Sequence, residues 1–285
     1  MTGVQRTNPL RVIGTGRGEL ALRVGSALVL VPLAITTAYL GGWWFTGFWG
    51  IAAGGTFWEW SSLIGASQCA AVMITGASSL AVAVALAATG HPAAALVALA
   101  IGAIAAAAMA PAPLRVWHAA GIPYAGSVAV MPIMLRSDPD YGLVAILFLF
   151  AIVWVTDIAA YFSGRAIGGA KLWPRVSPKK TWSGAIAGTA AAIVAGLLVA
   201  SAAQIPGLWA IAGLAVLLSA SAQGGDLFES FLKRKFRAKD SSQLIPGHGG
   251  VMDRLDAFVA ATVVAALIGI VRAGFQAPGR GLLMW

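Results

Sequence analysis

Long apolar runs separated by short polar breaks fill the chain, falling at about 24–40, 43–58, 69–88, 92–110, 119–135, 141–162, 182–203, 208–228 and 255–271. A bilayer core about 30 Å thick takes about 20 apolar residues as a helix, which satisfies its own backbone where no water can. The pattern predicts an all-α, polytopic integral membrane protein with about nine transmembrane helices. The second run is short and the eighth ends in charge, so these two are its weakest members. No internal repeat is visible, which argues against an inverted-repeat transporter.

Only 10% of the 285 residues are charged and mean hydropathy is +0.83, which excludes an ordinary soluble domain. Lys and Arg then orient the helices, because cytoplasmic loops carry the basic excess. With the N-terminus inside and nine crossings, the inner segments hold sixteen: Arg6, Arg11, Arg17, Arg23, Arg115, Arg165, Lys171, Arg175, Lys179, Lys180, Lys233, Arg234, Lys235, Arg237, Lys239 and Arg254. The outer segments hold three, Arg136, Arg272 and Arg280. The expected location is the inner, cytoplasmic membrane of the cell, crossed many times. Basic inner loops facing an anionic leaflet account for much of the net charge of +9 and the pI near 10.3, with no nucleic acid needed.

The first 23 residues lack the short apolar core of a secretory signal, so the first run reads as an uncleaved helix. The single cysteine, Cys69, excludes an intramolecular disulfide and reads as a packing residue. Trp43, Trp44, Trp49, Trp58 and Trp60 suit the bilayer interfaces. Gly184 and Gly188, four apart in the seventh run, allow close helix approach.

The acidic residues are more informative. Six of the ten, Asp157, Asp226, Glu229, Asp240, Asp253 and Asp256, fall at inner ends of the last four runs or in the loops between them. Charge at membrane depth needs a partner or an ion. In GGDLFESFLKR, Asp226, Glu229, Ser230 and Lys233 stand at i, i+3, i+4 and i+7, on one face of a continuous helix. Asp253 and Asp256 repeat the i, i+3 spacing where the ninth run begins, so two helices can offer carboxylates to one point. Converging carboxylates repel unless a cation lies between them, and hard oxygen ligands select Mg²⁺ or a similar ion. Ion pairs, such as Asp226 or Glu229 with Lys233 and Asp253 or Asp256 with Arg254, account for the same spacing.

The following loop supplies Lys233, Arg234, Lys235, Arg237 and Lys239, then PGHGG, whose glycines can aim backbone amides at an anion. The loop AIGGAKLWPRVSPKKTWSG adds Lys171, Arg175, Lys179 and Lys180. Metal, cations and a glycine turn together suit a polyphosphate. His248 can serve as a general acid or phosphate donor, although a lone His in such a turn is more often a hydrogen-bonding residue.

SFLKRKFRAKDSSQLIPGHGGVMDRLD, residues 230–256, resembles the signature of the phosphatidate cytidylyltransferases, the CDP-diacylglycerol synthases, over all 27 positions. The likeness extends upstream through TDIAAYFSGRAIGGAKLWPRVSPKKTWSG and covers about the C-terminal half. On this reading residues 1–140 are N-terminal transmembrane helices, and 141–285 form a catalytic transmembrane region with two cytoplasmic loops. The resemblance implies cytidylyl transfer from CTP to phosphatidate, giving CDP-diacylglycerol and pyrophosphate, with Mg²⁺ required and a second cation such as K⁺ an open question. It further implies a homodimer among membrane lipids.

By resemblance and spacing, the expected catalytic residues are Asp226, Lys233, His248 and Asp253. The metal ligands are Asp226 and Asp253 first, then Asp256 and Glu229. Ser230, Arg234, Lys239, Lys179, Lys180, Gly249, Gly250 and Arg254 would bind substrate, and Asp240 would orient its loop. The family commonly has Glu after the KKTW run, where this chain has Ser183. Two rivals are a transporter of an anionic solute and a CDP-alcohol phosphatidyltransferase, whose expected aspartate-rich pattern is missing. Cysteines introduced beside Lys179 and Lys239 should be labelled only from the cytoplasmic side, and one beside Asp138 only from outside. Labelling of all three from one face contradicts the nine-crossing topology.

Overall fold

Long helices form where the apolar runs predict them in the computed structural model, which describes residues 16–66, 69–238, 240–242, 244–245 and 249–285. They are α1 (Gly16–Leu40), α2 (Gly42–Leu63), α3 (Ala70–Ala88), α4 (Pro92–Met109), α5 (Arg115–Arg136), α6 (Gly142–Ile167), α7 (Trp182–Ala202), α8 (Leu208–Lys235) and α9 (Met252–Ala273), followed by a short α10 (Pro278–Leu283). Arg6 and Arg11 lie outside the described residues.

Seven of these helices, α3 to α9, are long and apolar enough to cross a membrane. Among the described residues, the apolar part of α1 is the shorter Leu28–Leu40. Helix α2 has the length, but Glu59, two serines and its tryptophans lower its hydropathy.

Helix α5 runs through the centre, with every residue from Ala125 to Leu135 buried. Helices α2, α3, α4, α6 and α9 all pack on it. Helix α7 lies along α6 through a stripe of small residues four apart: Gly184, Gly188, Ala192, Gly196 and Ala200. A methyl group on Gly184 would meet the Ala160 carbonyl, and one on Gly188 the Thr156 carbonyl, so the close approach expected from these glycines is present. Such packing is how helices associate where lipid is as apolar as leucine.

The tryptophans divide differently from the expectation. Trp43, Trp44 and Trp58 are exposed, whereas Trp49 and Trp60 are in the core. Helical periodicity explains this: Phe45, Trp49, Ala53, Phe57 and Trp60 share the inward face of α2. Trp49 stacks on Phe258 of α9 at 4.7 Å, and Trp60 donates its indole N–H to the Trp117 carbonyl at 2.9 Å. These contacts fix α2 against α5 and α9.

The all-α expectation misses one element. Residues between α6 and α7 form a hairpin of β1 (Lys171–Trp173) and β2 (Ser177–Thr181), antiparallel, with Lys171 opposite Thr181 and Trp173 opposite Ser177. Thr181 ends the hairpin and caps α7, its hydroxyl accepting from the Gly184 amide at 3.1 Å.

At the far end of the bundle, two of the three arginines assigned to the outer side donate from their side chains to backbone carbonyls, and the third donates its backbone amide to a carboxylate. Arg136 donates to the Ala38 and Tyr39 carbonyls, and Arg272 to those of Gly281 and Met284. The Arg280 amide donates to buried Asp138 at 2.8 Å.

Near the opposite end, α8 meets α9 at Gly225, where an added methyl would strike the Asp256 carbonyl and Ala260; its neighbour Gly224 faces open space. Gly225→Val should therefore lower the thermal midpoint in detergent by the equivalent of about 1–3 kcal/mol, as overpacking does, while Gly224→Ala leaves it nearly unchanged. Equal midpoints for the two variants contradict this account of the contact.

Candidate active site

Helix alternation gathers charged residues at one end of the bundle: Glu59 near the end of α2, Asp157 towards the end of α6, Asp226 to Lys235 closing α8, and Asp253 and Asp256 opening α9. Helix α8 continues seven residues past its apolar run, which is why Asp226, Glu229, Ser230 and Lys233 lie on one helical face as their spacing predicts.

Two lysines organise the carboxylates. Lys233 Nζ lies 2.8 Å from Glu229 Oε2 and 2.6 Å from Asp253 Oδ1, joining α8 to α9. All three side chains are largely buried, at 14%, 2% and 8% exposure. Lys180 Nζ, from β2, lies 2.5 Å from Asp226 Oδ2, joining the hairpin to α8; Ser230 donates to the other Asp226 oxygen at 3.4 Å. Adjacent lysines point differently along the strand, so Lys179 is exposed while Lys180 turns inward. The expected ion-pair arrangement is thus present in part: Lys233 pairs with Glu229 as its spacing predicts, while Asp226 takes Lys180 and Asp253 takes Lys233. Arg234 and Arg254 are exposed at the same end.

Asp253, expected first among metal ligands, has both oxygens engaged. Oδ1 takes Lys233, and Oδ2 accepts from the Ser241 hydroxyl at 2.9 Å, the Ser241 amide at 3.1 Å and the Gly250 amide at 2.8 Å. A carboxylate so occupied holds the loop to α9. Gly250 is required by space, since a methyl there would run into the Ser241 hydroxyl and the Glu59 carboxylate. Gly249 takes φ +85°, open mainly to glycine, while its carbonyl accepts from the Ile245 amide at 2.9 Å and closes the turn. Lys239 and His248 lie outside the described residues. Asp240 is exposed.

A donor set for a hard cation remains. Glu229 lies against both Asp253 and Asp256, and Asp256 is also within electrostatic reach of Asp226 and Asp157. Glu229 Oε1 is buried without a hydrogen-bond partner among the described residues. Among the described residues no three His, Cys, Asp or Glu side chains are arranged to enclose an ion by themselves. Mg²⁺ rarely needs such a cage, because it is usually held by one or two carboxylates, water and substrate phosphates. The carboxylates of Asp226, Glu229 and Asp256 fit that manner of binding, with Asp226, like Asp253, already paired to a lysine and Glu229 carrying the unpartnered oxygen among the described residues.

Ser183, at the position where the family commonly has Glu, donates to the Gly168 carbonyl at 2.5 Å and sits 3.0 Å from the Thr181 hydroxyl. It closes the junction between α6 and the hairpin.

The largest omission from the sequence-based set is Glu59. Fully buried on α2, it accepts from Ser242 Oγ at 2.5 Å, Val251 N at 2.8 Å, Ser241 Oγ at 3.1 Å and Met252 N at 2.7 Å. The available signal was an acidic residue inside an aromatic apolar run, Trp58-Glu59-Trp60.

Removing Lys233 would leave Glu229 and Asp253 buried and uncompensated. Lys233→Met should destabilise the folded protein by about 3 kcal/mol or more, the scale of breaking one side of a buried pair. Lys233→Met combined with Glu229→Gln should recover part of that loss. Detergent thermal unfolding checks both, and an unchanged midpoint for Lys233→Met contradicts the bridging role.

Residues 21–271 match the cytidylyltransferase family. The phosphatidate cytidylyltransferase of Brucella suis biovar 1 is 45% identical over 265 residues, 91% of this chain and 97% of the relative. That of Brucella abortus biovar 1 is 45% identical over 258 residues, 89% and 94% of the two chains. The phosphatidate cytidylyltransferase of Haemophilus influenzae is 47% identical over 129 residues, covering 44% of this chain and 45% of its own. A match running from α1 to the end of α9, with near-full-length relatives of this identity, makes this chain a member of the cytidylyltransferase family.

Proposed function

We propose that this chain transfers the cytidylyl group of CTP to phosphatidate, giving CDP-diacylglycerol and pyrophosphate in phospholipid biosynthesis. One observation carries the reading: Lys180 on Asp226, and Lys233 on Glu229 and Asp253, stand at a single end of a membrane bundle beside two apolar grooves. A lipid phosphate is confined to the interface and a triphosphate to water, and this is the level both can reach.

The groove between α5, α8 and α9 has a volume of about 450 Å³, with walls of Tyr124, Phe228 and Val263 and with Asp256 among them. The groove between α7, α8 and the hairpin has about 630 Å³, walled by Trp173, Trp182 and Leu227. Both suit the acyl chains of the lipid.

A phosphatidate oxygen attacks the α-phosphorus of CTP in line, and the bond to pyrophosphate breaks as the new P–O bond forms. Negative charge then spreads over phosphoryl oxygens, so catalysis rests on positioning and electrostatic stabilisation. Lys180 and Lys233 are fixed by their carboxylates where that charge develops. Lys179, Arg234, Lys239 and Arg254 gather the triphosphate, and Ser230 and the Gly249–Gly250 turn offer neutral donors. Asp226, Glu229 and Asp256 would hold Mg²⁺, which when bound supplies a Lewis acid for the phosphoryl and leaving oxygens.

With α1 and α2 added to the seven apolar helices, the chain crosses the inner membrane nine times with the site facing the cytoplasm. Two copies form the homodimer that the family resemblance implies.

Purified protein given labelled CTP and phosphatidate should release pyrophosphate only when both substrates and Mg²⁺ are present. Asp226→Asn should lower that turnover at least about 10²-fold, the scale of losing one member of a preorganised electrostatic site. Equal turnover with ATP, or none with CTP, contradicts the proposal.

A further inference from the structure

The partners of Glu59 come from far along the chain and from two kinds of structure. Val251 and Met252 supply amides at the start of α9, where the first N–H groups of a helix have no partner within it and a negative charge is favoured. Capping the helix needs only these two. Ser241 and Ser242 belong to the loop after α8, and their bonds to Glu59 do nothing for the helix. They tie the loop to a carboxylate anchored in the N-terminal half, on a helix held by Trp49 and Trp60.

The contacts continue inward. Ser241 Oγ stands between Glu59 Oε2 at 3.1 Å and Asp253 Oδ2 at 2.9 Å; Asp253 bonds Lys233 at 2.6 Å, and Lys233 bonds Glu229 at 2.8 Å. A shift of the loop at Ser241 is therefore transmitted to the ammonium two contacts away.

We infer that Glu59 is a positioning residue for cytidylyl transfer: from α2 it sets the Ser241–Ser242 turn and the start of α9, and through Ser241 and Asp253 it holds Lys233 in register with the reacting phosphates. The inference rests on the function proposed above. All four of its partners donate, two to each carboxylate oxygen, so an amide in its place turns an N–H₂ group towards donors. Glutamine is thus a disruptive replacement despite its shape, while aspartate keeps the acceptors at shorter reach.

The test compares wild type, Glu59→Gln and Glu59→Asp as full-length protein in detergent, reading kcat and KM with CTP and phosphatidate, thermal stability, and hydrogen exchange of the amides at 249–252. For Glu59→Gln the expected result is faster exchange confined to that segment, with kcat per folded molecule lower by about 10²-fold, as small misplacements in a reacting geometry produce. KM should change less than kcat, and Glu59→Asp should recover at least part of the rate. A fall in stability with kcat per folded molecule unchanged overturns the inference, as does a lower kcat with unaltered exchange at 249–252. If Glu59→Gln does not fold, Ser242→Ala removes one of the four donors; a milder change of the same two readings supports the inference, and no change in either overturns it. Wild-type protein that makes no CDP-diacylglycerol overturns the functional reading, and the exchange measurement still reports whether Glu59 holds the loop.

Discussion

An ammonium held between two carboxylates at the apolar edge of a helix bundle is the interaction on which this molecule depends. Removing such charges from water costs several kcal/mol for each ion, and the cost is offset only when geometry and hydrogen bonding are both complete. Lys233 meets that condition through Glu229 one helical turn earlier and Asp253 on the next helix. Asp253 meets it through Lys233, Ser241 and Gly250. The close crossing of α8 and α9 at Gly225 makes the bridge short enough to form.

This arrangement explains why the two halves of the chain, so different in polarity, work as one structure. The C-terminal half contributes 19 of the 29 charged residues, and the loop after α8 is tied through Ser241 and Ser242 to the N-terminal half. The loop gains rigidity from Glu59, and Glu59 in turn is fixed by aromatic packing: Trp60 lies 4.9 Å from Tyr124, within reach of Phe228 on α8, and Trp117 contacts Phe236. Aromatic rings of the N-terminal half thereby support the helix end that carries Lys233. On the other flank the hairpin brings Lys180 to Asp226. The reacting phosphates would thus be approached from two sides by cations whose positions are set by carboxylates.

Much of this was legible in the chain because its signals are local. Apolar runs located all nine long helices, with α1 starting eight residues earlier and α8 ending seven later than its run, and the i, i+3, i+4, i+7 spacing placed Asp226, Glu229, Ser230 and Lys233 on one face of α8. Gly184 and Gly188, four apart in α7, signalled a close helix approach, and the structure supplies α6 as the partner. Long-range pairings were not legible. Lys180 finds Asp226 across 46 positions of sequence and Glu59 reaches Ser241 across 182, and neither separation leaves a periodic trace. The hairpin escaped for another reason, since Pro178 and four basic residues within 171–181 resemble an ordinary inner loop. Trp49 and Trp60 were assigned to the interface by residue type, whereas the inward face of α2 decides their burial.

The central claim is that Glu59, Ser241, Asp253, Lys233 and Glu229 act as one network in the service of a single reaction. A double-mutant cycle on turnover between its ends, Glu59→Gln and Lys233→Arg, measured per folded molecule, tests this most directly. Residues acting as a unit are strongly non-additive, so the double variant is predicted to be scarcely slower than the slower single variant. Losses that multiply, as those of independent sites do, would contradict the account.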